Sequence, residues 1–167
     1  MRMLGEGDVL TALYFEGTRE MPAAPAWPER EVPAFLKTRR WLDAYFAGRE
    51  PPWRPRWRME GLTPFRREVV EALLSIPFGA TATYGGIAAL IAKKRGMPRM
   101  SAQAVGGAVG WNPVCLVVPC HRVVGAGGAL TGYGGGMDNK RALLAHEGHR
   151  EWAVPAPGTP RRPPLSP

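Results

Sequence analysis

The chain has 167 residues, a mass of 18.2 kDa and a formal net charge of +8, which suits one domain with or without a small second lobe. Its 45% hydrophobic content excludes an intrinsically disordered chain, and its two cysteines exclude a small disulfide-stabilised secreted domain. No run approaches the roughly 18 apolar residues of a membrane span. The N-terminus, MRMLGEGDVL, is too polar for a signal peptide, so we expect a soluble cytoplasmic protein.

The basic charge is concentrated beyond residue 50. The net charge is −1 over residues 1–50, +6 over residues 51–100 and +3 over residues 101–167. A basic half suits a polyanion, and nucleic acid is favoured over a membrane because no basic amphipathic helix is evident. A merely solvated basic surface explains the charge equally well.

The first sixty residues predict a small lobe followed by a linker. Residues 9–16 (VLTALYFE) read as a short buried strand, and the proline-rich residues 21–33 read as a loop. Apolar spacing over residues 32–47 predicts a helix that Gly48 ends. Residues 51–61, rich in proline and arginine, read as a linker. The expected division is residues 1–60, residues 61–150, and a disordered proline-rich tail over residues 151–167.

The next segment predicts a helix-turn-helix. Thr63 and Pro64 form an N-cap and first-turn pair that opens a helix extending to Ile76. Two further helices are expected at residues 84–95 and about 100–110, separated by a Gly/Pro turn. Four cations surround that turn: Lys93, Lys94, Arg95 and Arg99.

The second of these helices is unusual because nearly all its side chains are small. Gln103 is its only long polar residue, whereas a helix that reads bases in the major groove needs several. Small residues let a helix backbone approach closely either a neighbouring helix or a narrow minor groove. The basic charge favours DNA.

The run VVPCHR places a cysteine where a nucleophile is often presented. Residues 115–118 predict a short buried strand that Pro119 stops just before Cys120. His121 is adjacent and Glu147 ends the next predicted helix, so the three could act as nucleophile, base and orienting group, with a water between thiol and imidazole. Cys115 is expected to be an ordinary buried side chain. Two cysteines and three histidines are too few to predict a zinc site.

Three runs together resemble the O6-alkylguanine-DNA alkyltransferase family over residues 63–148. They are IPFGATATYGGIA, SAQAVGGAVGWNP and VVPCHRVVGAGGALTGYGGG…LLAHEG. YFAG and LTALYFEG resemble segments of the family's N-terminal part. The resemblance implies an α/β (α+β) fold: a small, shortened ribonuclease H-like N-terminal lobe and a mainly helical C-terminal lobe with a winged-helix-like helix-turn-helix.

The resemblance also implies a chemical role for each of several residues. Cys120 would take the alkyl group from O6 of guanine, His121 would deprotonate it through a water, and Glu147 would hold His121. Tyr84 would hydrogen-bond to the flipped guanine as it leaves. Asn112 would tie the helix-turn-helix to the cysteine segment.

Other residues are implied to bind the base and the DNA. Backbone groups of Cys120 and Val123 would read the guanine edge, while Tyr133 and Gly134 would form the pocket wall and its lid. The small-residue helix would enter the minor groove of double-stranded DNA containing O6-alkylguanine. The residues facing DNA would be Arg99, Ser101, Ala102, Gln103, Ala104 and Gly107. A monomer that acts once, without cofactor or metal, is expected.

The sequence departs from the family pattern in three places. Gln103 stands where many relatives have an arginine that fills the space of the flipped base, so we expect weaker DNA binding or slower flipping with intact chemistry. The N-terminal lobe is short, and no Cys or His precedes Cys115, so the zinc site of some relatives has no ligands. The alternatives are a lesion-binding protein without chemistry, a helix-turn-helix regulator and a cysteine hydrolase, and the presence of Cys120 argues against the first.

Overall fold

The computed structural model describes residues 1–18 and 30–152. The helices and strands, in chain order, are β1 (Arg2–Glu6), β2 (Val9–Tyr14), α1 (Pro33–Phe46), α2 (Pro64–Leu74), β3 (Ala82–Thr83), α3 (Tyr84–Lys94), α4 (Ala102–Gly110), β4 (Val123–Val124) and α5 (Met137–His146). Three 3-10 turns lie at Cys120–Arg122, Ala126–Gly128 and Arg150–Trp152. The five helices and two small sheets of the described residues form the α+β fold that was predicted.

Within residues 1–18 and 30–60, the N-terminal lobe consists of one β-hairpin covered by one helix. Strands β1 and β2 pair antiparallel, with a bulge between Leu4 and Gly5. The sequence predicted β2 but not β1, since Arg2–Glu6 has neither a β-branched run nor a clean apolar alternation. The lobe is small, as predicted from the sequence.

Strand β2 also joins the two lobes. Leu10 exchanges backbone hydrogen bonds with residues 56 and 58, and Leu13 exchanges them with residues 113 and 115. The interpretation of residues 51–61 as a linker is therefore incomplete, because this segment pairs with a strand and buries Met59. One continuous hydrophobic core includes Leu10 and Trp41 from the first lobe and Cys120 from the second.

The predicted helices are present, and local chemistry explains their ends. Pro33 occupies the first turn of α1, and Gly48, with a φ of 86°, follows its C-cap. Thr63, Thr83 and Ser101 cap α2, α3 and α4, each accepting a hydrogen bond from the backbone N–H three residues on. The chain from α3 to α4 forms the predicted helix-turn-helix.

The segment before the nucleophile is a tight turn, so the predicted strand at residues 115–118 is wrong. Val117 N–H donates to the Cys115 carbonyl, and Val118 N–H donates to the Val114 carbonyl. Leu116 adopts a φ of 68°, a left-handed conformation that no strand contains. The apolar run is buried as a turn whose beginning, at Val114, pairs with Leu13 of β2.

Two predicted segments, the proline-rich loop and the C-terminal tail, lie largely beyond the described residues. The proline-rich loop lies mostly outside the described residues, as do residues 153–167 of the predicted tail. Glu151 and Trp152, also assigned to that tail, form the last 3-10 turn. No helix within residues 1–18 and 30–152 has the length and apolarity required to span a membrane.

The bulge in β1 generates a stability prediction. A Cβ on Gly5 would lie 2.7 Å from the Val9 carbonyl oxygen and 3.2 Å from the Phe35 ring, so Gly5→Ala should lower the free energy of unfolding by about 1–3 kcal/mol. Gly85→Ala is the matched control, since its nearest neighbour is 4.0 Å away. Urea unfolding measures both, and equal effects of the two substitutions would contradict the packing described for the hairpin.

Candidate active site

Cys120 lies at the bottom of a small pocket. The residues lining the pocket come from the end of α4, the turn before Cys120 and the glycine-rich loop before α5; they are Val109, Gly110, Asn112, Cys115, Cys120, Gly132, Tyr133, Gly134 and Gly135. Cys120 is 4% exposed. The cavity of about 10 Å³ has room for about one water molecule and none for a purine. Entry of a base therefore requires the loop over residues 132–135 to move.

Asn112 holds both the sulfur and the turn that presents it. Its Nδ2 donates to Cys120 Sγ at 3.0 Å and to the Val118 carbonyl at 2.9 Å. Its Oδ1 accepts from the N–H of Val114 at 3.0 Å. Asn112 follows α4 directly, so this side chain links the helix-turn-helix to the nucleophile.

The surroundings of Cys120 favour its thiolate. A hydrogen bond from Cys115 lowers the pKa of the Cys120 thiol most strongly, burial opposes it, and the Asn112 amide and the Lys140 charge lower it further. The net direction is down. Because the thiolate is the reactive form, the site stabilises a nucleophile.

His121 is buried, neutral and oriented. Its Nε2 lies 2.7 Å from Glu147 Oε1, and burial lowers its pKa despite that carboxylate. A carboxylate only accepts hydrogen bonds, so Nε2 carries the proton and Nδ1 has the free lone pair. Nδ1 is buried and has no hydrogen-bond partner in the described residues. It is therefore the nitrogen that can accept a proton.

Glu147 is the centre of a buried polar network. Its two oxygens accept hydrogen bonds from the Tyr45 hydroxyl, His121 Nε2, the guanidinium of Arg122 and the N–H of Gly79. Burial opposes ionisation, yet the hydrogen bonds from His121 and Arg122 and the positive charge of Arg122 outweigh it and lower the pKa of Glu147 to about 2. The carboxylate is thus ionised throughout the physiological range.

Arg122 connects this carboxylate to the rest of the protein. Its fully buried guanidinium donates to both Glu147 oxygens, to the Ile76 carbonyl at 2.7 Å and to Glu50 Oε2 at 3.0 Å. It lies 5.8 Å over the Phe78 ring. These contacts give Arg122 a structural role, since its guanidinium holds Glu147, the segment after α2 and Glu50 together.

The pairing of β3 with β4 brings Tyr84 to the pocket region. Ala82 and Thr83 pair in parallel with Val123 and Val124, so the start of α3 lies beside the segment that follows Cys120. Burial raises the pKa of Tyr84, a hydrogen bond with Thr131 opposes this, and Cys120 raises it again. Tyr84 therefore keeps its proton and can donate a hydrogen bond.

The base-binding residues predicted from the sequence also lie here. Tyr133 and Gly134 line the pocket, and the Tyr133 ring packs edge-on against Phe15 of the first lobe, 6.5 Å between centroids. The Val123 carbonyl accepts a hydrogen bond from Lys140 Nζ at 2.6 Å, which leaves it a second lone pair. The pocket is therefore lined by the second lobe, and the first lobe packs against one of its lining residues.

The small residues of α4 divide between two faces. Val105, Ala108 and Val109 are buried in the core, so part of the helix packs internally. The residues predicted to face DNA are all exposed: Arg99, Ser101, Ala102, Gln103, Ala104 and Gly107. Lys94 and Arg95 pair with Glu71 and Glu68 of α2, whereas Lys93 and Arg99 have no ion pair in the described chain. The exposed face is thus small and weakly basic.

Three residues of the site are not predicted by the sequence: Tyr45, Lys140 and Cys115. The sequence predicts the helix that contains Tyr45 but no role for its hydroxyl. No local pattern indicates that Lys140 or Cys115 lies near Cys120. The order Cys-His-Arg and the following helix could have suggested that Arg122 shares the carboxylate of Glu147. Only the fold brings Tyr45 within 2.7 Å of that carboxylate across 102 residues.

A thiol held beside an imidazole–carboxylate pair, next to a helix-turn-helix, defines a group-transfer protein with a nucleic-acid surface. The family model described as 6-O-methylguanine DNA methyltransferase, DNA binding domain, matches residues 64–149. A methylated-DNA–protein-cysteine methyltransferase of Mycobacterium bovis is 43% identical over 150 residues, covering 90% of this chain and 87% of its own. One from Methanosarcina acetivorans is 43% identical over 135 residues, covering 81% and 82%.

Solved structures agree with the sequence comparisons. Mycobacterium tuberculosis OGT in complex with DNA is 42% identical with a TM-score of 0.74, covering 90% of this chain and 87% of that one. An O6-methylguanine DNA methyltransferase of Methanococcus jannaschii is 30% identical with a TM-score of 0.57, covering 87% and 86%. The chain belongs to the O6-methylguanine-DNA methyltransferase family.

The depressed pKa of Glu147 generates a pH prediction. Its ionisation contributes stability that is complete above pH 4.5 and is lost as the pH falls toward about 2. In urea unfolding from pH 7 to pH 3, the stability difference between the wild type and Glu147→Gln should therefore shrink with acid, within a limit of about 3 kcal/mol. Glu31→Gln is the control, because Glu31 is exposed and pairs with exposed Arg39. A Glu147 difference independent of pH would contradict the network.

Proposed function

We propose that this protein repairs DNA by transferring the alkyl group of O6-alkylguanine to its own Cys120, once per molecule. The observation that carries the proposal is the sulfur of Cys120, fixed by Asn112 at the base of a pocket beside a neutral, carboxylate-oriented histidine. The membership of the family and the helix-turn-helix support double-stranded DNA as the partner. The expected setting is the cytoplasm, and the expected working form is a monomer.

The proton of Cys120 moves before or during attack. A water bridging Sγ and His121 Nδ1 carries it to the imidazole, and the Glu147 carboxylate stabilises the imidazolium that forms. The Cys120 sulfur attacks the alkyl carbon, the carbon–O6 bond breaks and its electron pair passes to the guanine. The products are a thioether on Cys120 and guanine restored in DNA. No cofactor takes part.

The leaving guanine needs its developing negative charge neutralised. The protonated hydroxyl of Tyr84 donates a hydrogen bond or a proton to the base. Backbone groups of Cys120 and Val123 hydrogen-bond to its edge, while Tyr133 and Gly134 cover it. The base reaches them by leaving the duplex, which costs a few kcal/mol.

The exposed face of α4 meets the minor groove. Ala102, Ala104 and Gly107 let the helix backbone approach the sugars, Ser101 and Arg99 bind phosphates, and Gln103 occupies the space left by the flipped base. Gln103 carries no charge, so binding is weaker than with an arginine there. The division into residues 1–60 and 61–150 then separates a supporting lobe from a DNA-binding lobe, with the tail beyond.

Intact-protein mass spectrometry tests the chemistry. After incubation with a duplex containing one O6-methylguanine, the wild type should gain one methyl group, about +14 Da, saturating at one per protein. Cys120→Ala should gain nothing. A wild type that binds the lesion without a mass change would be a damage-binding protein, and turnover beyond one methyl per protein would exclude a suicidal transfer.

A substitution on the exposed face of α4 should raise the free energy of unfolding and lower the affinity for DNA. A Cβ on Gly107 meets nothing within 4 Å, so Gly107→Ala should raise the free energy of unfolding by about 0.5–1 kcal/mol. The same methyl group should weaken binding to duplex DNA, measured by fluorescence anisotropy. Leu36→Ala, an exposed uncharged change on α1, is the control. Unchanged affinity of Gly107→Ala would remove this face from the DNA interface.

A further inference from the structure

The two cysteines of the chain lie in the same pocket. Cys115 and Cys120 are 3% and 4% exposed, and both line the cavity in which the nucleophile sits. Neither forms a disulfide. The sequence contains no other cysteine, so any intramolecular disulfide would join these two.

The turn between them brings their side chains together. Cys115 pairs with Val118 across the turn, and the N–H of Cys120 donates to the Val118 carbonyl at 2.8 Å. The chain therefore reverses within five residues, and the Cys115 side chain hydrogen-bonds with that of Cys120. Two thiols in hydrogen-bonding contact are within the range from which a disulfide closes with small side-chain movements.

The same surroundings make Cys120 sensitive to oxidants. Thiolate character controls oxidation as it controls alkylation, and Asn112 and Lys140 both stabilise the anion of Cys120. Hydrogen peroxide is little larger than water, so it needs far less movement of the loop over residues 132–135 than a purine does. A small hydroperoxide is thus the oxidant that this closed pocket admits.

We propose that Cys115 is a resolving cysteine, which traps oxidised Cys120 as an intramolecular disulfide and so preserves the nucleophile for recovery by a thiol reductant. This role goes beyond alkyl transfer and does not require it. The disulfide form has no free nucleophile, so the protein in that state is inactive and recoverable.

The chemistry balances in two steps. The Cys120 thiolate attacks one oxygen of hydrogen peroxide, the O–O bond breaks, and hydroxide leaves and is protonated to water, giving a sulfenic acid. The Cys115 sulfur then attacks the Cys120 sulfur, the S–O bond breaks, and the departing hydroxide takes the proton of the Cys115 thiol to form a second water. The two sulfurs together lose two electrons to the peroxide. A dithiol such as dithiothreitol reverses the change by thiol–disulfide exchange.

The test treats full-length protein with hydrogen peroxide and follows the intact mass. The wild type should lose about 2 Da as a monomer, lose both iodoacetamide-reactive thiols, and recover its mass and both thiols with dithiothreitol. Chymotrypsin, which cleaves after Leu116, should release the peptides of Cys115 and Cys120 joined to each other, and dithiothreitol should separate them. A wild type in which the peptide that contains Cys120 instead gains two or three oxygens on the cysteine, or a wild type that forms disulfide-linked dimers, would overturn the proposal.

Cys115→Ala is the matched variant. Without the resolving thiol, peroxide should carry Cys120 to sulfinic and sulfonic acids, with mass gains that dithiothreitol does not remove. Cys120→Ala should neither lose 2 Da nor acquire those oxygens at a comparable rate. If Cys115→Ala does not fold, the wild-type experiment still decides, because the monomeric loss of two hydrogens and its reversal require both cysteines. Equal irreversible oxidation of the wild type and Cys115→Ala would refute a resolving role.

Discussion

The ionised carboxylate of Glu147 is the interaction on which the site depends. A buried charge is costly unless hydrogen bonds and an opposite charge surround it, and here the Arg122 guanidinium, His121 Nε2, the Tyr45 hydroxyl and the Gly79 N–H do so. The same bonds fix the tautomer of His121, since the imidazole must present a proton to the carboxylate. Structure and reactivity therefore rest on the same oxygen atoms.

The N-terminal lobe also supports that carboxylate. The lobe supplies Tyr45, which donates to Glu147, and Glu50, which pairs with Arg122. Strand β2 pairs with the residues just before the nucleophile turn. The lobe thus positions Glu147, Arg122 and the turn before Cys120, although it contributes no residue to the proposed reaction.

Much of the fold could be predicted from local patterns. Helices α1 to α4 follow from apolar spacing and from capping residues such as Thr63 and Ser101, and the family motifs located Cys120, His121 and Glu147. Strand β1 was not predicted, because it is a strand through its pairing with β2 and not through its composition. The turn at Leu116 was not predicted, because a buried apolar run has the same sequence pattern whether its backbone is extended or folded back. The role of Tyr45 was not predicted, because a contact between residues 102 positions apart produces no local sequence pattern.

The closed pocket has a consequence for a protein that can react only once. An accessible thiolate would be consumed by any soluble electrophile that it met, and each such encounter would remove a repair molecule from the cell. The cavity of about 10 Å³, bordered by Tyr133 packed against Phe15, has room for about one water molecule, so a bulky electrophile cannot reach the sulfur unless the pocket wall moves. The pocket thus spares the unused nucleophile from electrophiles that are too large to enter it.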